Sequence, residues 1–102
     1  MIDDIFQEIL HERLRQDSKY GEQNWPIVSA ELSEYYKLLE PTVKLKCDTE
    51  YENGTLTWHE ILKEEFVEAM DETTASLQRE ELIQMVAVGV AMIECIDRNS
   101  LL

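Results

Sequence analysis

From Leu82 to Ile93 the chain runs without a charged residue, and a helical wheel of this stretch is apolar on almost every side. It lies inside a longer helical pattern from about Ser76 to Arg98, which at 1.5 Å per residue makes a rod roughly 33 Å long. A helix that is apolar all round needs neighbours on all sides. With 102 residues the chain fits one domain, 1–102, and a domain of that size buries roughly two-thirds or less of its unfolded surface. A single protomer is therefore expected to fall short of covering this rod, and a second subunit to complete it in a homodimer or homotetramer.

The other segments also read as helices. Ile2, Ile5, Phe6, Ile9, Leu10 and Leu14 recur at helical spacing and predict an amphipathic helix ending near Gln16. A loop follows at Lys19 to Pro26, where Gly21 and Pro26 interrupt the pattern. Residues 29–52 read as interrupted helix, with Ser29 capping Ala30 to Leu39 and Thr42 capping a shorter run after Pro41. Asn53-Gly54 breaks the chain. Thr57 and Glu60 then form a capping-box pattern for a third helix from Trp58 to about Glu72. The expected fold is all-α, an antiparallel bundle of about four helices completed by oligomerisation.

Charge narrows the class of partner. There are 22 acidic residues against nine basic ones, a formal net charge of −13, and such a balance repels nucleic-acid backbones and anionic membranes. A small polyphosphate is still accessible if divalent cations bridge the two sets of negative charge. Cys47 and Cys95 have no CxxC spacing, which predicts reduced thiols and a cytoplasmic location. Neither a leader pattern nor an apolar run of membrane-spanning length is evident.

On a 100° wheel with Trp58 at zero, Ile61, Leu62 and Ala69 fall within about 60° of it and define an inward face. Glu65 lies inside that sector, flanked by Glu72 and Glu68. Glu60, Glu64 and Asp71 cluster at about 200–240°, the side expected to be wet. Several ionised carboxylates on a buried face require a positive partner. Oxygen ligands without His or Cys suit a hard cation such as Mg²⁺ or Mn²⁺. On the fourth helix Glu81 and Gln84 share a face, and an antiparallel turn between the helices would bring them toward Glu65 and Glu68. Asp97 of a second acidic pair, Glu94 and Asp97, faces away from Glu81. A single Glu-x-x-His pair, Glu8 and His11, is present, whereas a di-iron carboxylate bundle ordinarily uses such pairs on two facing helices.

The stretch Glu64-Glu65-Phe66-Val67-Glu68, followed by Glu81-Leu82-Ile83-Gln84, resembles the EExxE…ExxD signature of the all-α nucleoside triphosphate pyrophosphohydrolases. Glu12 to Gln16 and Lys19 to Pro26 are similar to the N-terminal segment of their MazG-like bacterial and phage branch. Together these stretches make up 22 of the 102 residues, and residues 29–52 carry little of the likeness. The resemblance implies Mg²⁺-dependent cleavage of an NTP or dNTP to the monophosphate and pyrophosphate, a nucleotide house-cleaning reaction. It implies Glu65, Glu68 and Glu81 as metal ligands, and Glu64 as a support for the metal or the attacking water. Gln84 stands where the family has Asp, so one charge is lost while a coordinating carbonyl oxygen remains. Lys19 and Arg98, with Arg15 and Arg79, are candidates for phosphate contacts. Trp25 is a candidate for base stacking, with Gln23 or Asn24 reading the base edge. His11 and His59 read as surface or capping residues. The competing expectation is a nucleotide-binding or regulatory module that keeps the scaffold without turnover.

Overall fold

The computed structural model describes residues 1–100, and among them the secondary structure is helical throughout. The helices are α1 (Ile2–Tyr20), α2 (Ala30–Asn53), α3 (Trp58–Asp71) and α4 (Ala75–Ser100). The chain divides into two compact units. Met1–Pro26 with the described residues from Val90 onward forms one, and Ile27–Gly89 the other. None of the described helices is long and apolar enough to cross a membrane.

In the first unit α1 extends a turn past its apolar pattern, because Asp17 to Tyr20 continue the helix without adding to its stripe. Gly21 ends it at φ 69°, donating its N–H to the Asp17 carbonyl, a backbone angle that costs glycine little. The stripe is only partly used. Ile5 is buried, whereas Ile2, Phe6, Leu10 and Leu14 remain 42–58% exposed.

In the second unit α2 departs from expectation. One helix runs through Pro41 rather than two runs meeting there, and Thr42 is an interior residue. Pro41 has no N–H for the carbonyl one turn back, yet its ring is exposed, and the helix continues on either side of it. Ser29 caps the start as expected, its Oγ accepting from the Leu32 N–H at 3.2 Å. Gly54 closes the end in the left-handed region at φ 71°, ψ 21°.

α2 and α3 pack as an antiparallel hairpin. Ser33 lies opposite Asp71, Tyr36 packs edge-on against Phe66 at 5.5 Å, and Lys46 pairs with Glu60. The inner seam of α2 is Ser33, Tyr36, Glu40, Val43, Cys47 and Glu50, all buried or half-buried. Their spacing alternates three and four, the pattern of a helix seam. Val67, Ala69 and Met70 of α3 supply the apolar core of the hairpin.

One further expectation needs correction. Thr57 stands at the N-cap as expected, but its side chain makes no capping hydrogen bond, since the Glu60 N–H is donated to the Thr57 carbonyl at 3.2 Å. The Glu60 carboxylate turns to His59 Nδ1 at 2.8 Å and Lys46 Nζ at 3.6 Å. As expected of a single protomer, the middle of α4 is only partly covered within one chain. Val90 is buried, but Ile83, Val86 and Ile93 are 56%, 52% and 38% exposed.

Candidate functional site

The sequence places Glu65 and Glu68 on successive turns of α3 and Glu81 two turns into α4, and all three belong to the second unit. Only a short link, Glu72 to Thr74, joins the two helices. It is stiffened by Gln78, whose amide donates to the Glu72 carbonyl at 3.2 Å and whose N–H bonds the Thr74 carbonyl at 2.9 Å. One carboxylate oxygen from each of Glu65, Glu68 and Glu81 lies within 4.8 Å of the other two. Among the described residues the salt bridges lie elsewhere, and none reaches this trio.

The cost of the arrangement shows in two ways. Glu65 Oε2 and Glu81 Oε2 are buried without a hydrogen-bond partner, a loss that ordinarily amounts to about 1–3 kcal/mol for each such atom. Protons are also held abnormally tightly. Burial, then repulsion from Glu65, Glu64, Glu81 and Glu40, raises the Glu68 carboxyl to about 7. Burial followed by the charges of Glu81 and Glu64 raises that of Glu65 as well.

The acidic patch extends further than the motif. Asp71, the last residue of α3, is only 8% exposed. Burial and the neighbouring Glu40 carboxyl raise it to about 7, with Glu72 and Glu81 adding to the effect. Cys47 is raised to about 11 by burial and the adjacent Glu64 carboxylate. Glu60, Glu64 and Asp71, expected on a wet face, therefore lie against α2, through Lys46, Cys47 and Glu40 in turn. α3 has two inward faces, one toward α2 and one toward Glu81 of α4. A wheel drawn around a single core axis cannot represent both.

Sequence reasoning missed Glu40. The available signal was its place in the three-four spacing from Ser33 to Glu50, hidden because most of those seam residues are polar. Gln84, one turn after Glu81 on α4, is exposed. Lys19, Gln23, Trp25 and Arg98 belong to the first unit. Lys19 Nζ sits 5.1 Å from the centre of the Tyr20 ring, Gln23 is exposed and Trp25 is 76% exposed. Arg98 borders a hollow with Met1, Ile5, Glu94 and Asp97.

Comparison with protein families, curated proteins and solved structures finds no match to this chain.

Proposed function

We propose that this chain is a nucleoside triphosphate pyrophosphohydrolase dependent on Mg²⁺, with Mn²⁺ as a substitute, releasing pyrophosphate and a monophosphate from an NTP or dNTP. The observation that carries the reading is the convergence of Glu65, Glu68 and Glu81 with two buried oxygens left unpartnered. The motif resemblance of the same residues supplies the reaction class. A hard divalent cation fits the donor set, since all the donors are carboxylate oxygens and their protonation is already strained. When bound, such an ion polarises phosphoryl oxygens and offsets the charge that develops on them.

The chain's own residues have separate tasks in this reading. Glu65, Glu68 and Glu81 hold the ion. Glu64, on the flank beside Cys47, adds negative charge and orients water. Gln84 offers a neutral carbonyl one turn beyond Glu81. Lys19 and Arg98 are assigned to phosphate oxygens, and Gln23 and Trp25 to the base, on residue type alone. The working form is a homodimer or homotetramer in a reducing, cytoplasmic setting.

The test is pyrophosphate release across a panel of NTPs and dNTPs with Mg²⁺ or Mn²⁺, using Glu65→Gln as control. Release by the native chain that disappears in the variant supports the reading. Undiminished release in the variant removes Glu65 from the site. Cation-dependent nucleotide binding without release with any nucleotide would establish the second reading, a binding or regulatory module, which the exposed and uncharged Gln84 favours.

A further inference from the structure

Among the described residues, one face of α1 is left uncovered. Ile2, Phe6, Leu10 and Leu14 follow one another at intervals of four and form a continuous strip beside the buried Ile5. A strip of four large apolar side chains, each about half exposed, is the kind of surface that marks an interaction site. Its charge is divided along the helix. From Ile2 to Leu10 the charged residues are Asp3, Asp4 and Glu8, and none is basic. From His11 to Tyr20 come Arg13, Arg15 and Lys19 against Glu12 and Asp17, so three of the chain's nine basic residues occupy ten positions.

Those halves are complementary in only one relative orientation. A second α1 laid antiparallel sets each acidic half beside a basic half, while a parallel one sets acid beside acid. The antiparallel arrangement also superposes the strip on itself, Ile2 opposite Leu14 and Phe6 opposite Leu10, as a two-fold interface requires. We infer that α1 is a self-docking face, and that its occupant is the α1 of a second copy of this chain, packed antiparallel across Phe6 and Leu10. Glu8 lies on the side of the helix away from the strip, so the two central glutamates do not meet.

The interface is tested on the full chain by sedimentation equilibrium, with helicity followed by circular dichroism. The native chain should show at least a dimer, and Phe6→Glu with Leu10→Glu should weaken that association about thirtyfold or more with helicity unchanged. Because both residues are about half exposed, the fold should survive the change. A charge exchange tests the orientation without touching the strip. Asp3→Lys with Asp4→Lys, and separately Arg13→Glu with Arg15→Glu, should each weaken association, and all four changes in one chain should restore it. A native mass of one chain, or association indifferent to Phe6 and Leu10, would overturn the face. Failure of the fourfold exchange to restore association would overturn the antiparallel orientation.

Discussion

Carboxylate oxygens of Glu65 and Glu81 stand within 4.8 Å of one another, and each residue also buries its Oε2 without a hydrogen-bond partner. Two like charges so placed oppose the fold unless a proton or cation intervenes. In a chelated solution near pH 8, Glu65→Gln should therefore raise stability by roughly 1 kcal/mol, a shift of about 4–8 °C in a domain of this size. On the proposed reading, the same change should reduce pyrophosphate release about 100-fold. Thermal melts with chelator and with Mg²⁺ check the first effect. A lower melting temperature in both would mean that the carboxylate contributes packing rather than repulsion.

Stability without divalent ions should fall as pH rises. Glu68 and Asp71 are raised to about 7 from ordinary values of 4.5 and 3.8, so the folded chain keeps protons that the unfolded chain has released. The stabilisation is complete below about pH 4 and is lost progressively as pH climbs through about 7. Melting temperatures of the chelated protein should decline from pH 5 to pH 8, and less steeply in Glu68→Gln. Mg²⁺ should reverse the decline with proton release near pH 7, visible by calorimetry in buffers of different ionisation enthalpy. Equal pH slopes in the native chain and Glu68→Gln would count against the assignment of Glu68.

The Cys47 thiol should be slow to alkylate. Raised to about 11 from 9.0, it presents about a hundredfold less thiolate at pH 8 than an ordinary thiol. Iodoacetamide labelling followed by peptide mass spectrometry measures the rate. Glu64→Gln removes the adjacent negative charge and should accelerate it. A rate unaffected by that change would separate Glu64 from the α2 seam.

Pro41 should be a point of weakness in α2. Its ring is exposed and it lies inside the helix, so Pro41→Ala restores an N–H without removing packing. A gain of about 1–3 kcal/mol is expected, read as a higher urea midpoint with an unchanged slope. A loss would show that the helix depends on the backbone rigidity the proline supplies.

Much of the fold was legible because several helix limits are local events. Ser29 caps α2, Gly54 ends it, and the periodicity from Trp58 defines α3. Pro41 misled because its penalty is finite, and tertiary contacts on either side outweigh it. In the candidate site the wheel placed Glu65 and Glu68 on one face, and the structure brings both together with Glu81. It failed for Asp71, whose burial depends on Ser33 and Glu40 some thirty residues earlier, a contact that the periodicity of one helix does not encode. Thr57 took its expected N-cap position, but the capping box did not form for a different reason. The Glu60 N–H goes to the Thr57 carbonyl, and the Glu60 carboxylate is drawn to Lys46 and His59.

The crowding of Glu40, Glu64, Glu65, Glu68, Asp71 and Glu81 also affects how long the molecule survives. In the unfolded chain these groups lie apart, so a cation that prefers their assembled form protects only folded molecules. Proteases act on whatever has opened. If the proposed ion binds here, the abundance of this chain will follow the free divalent cation level of its surroundings, and molecules that meet none will be the first to be cleared.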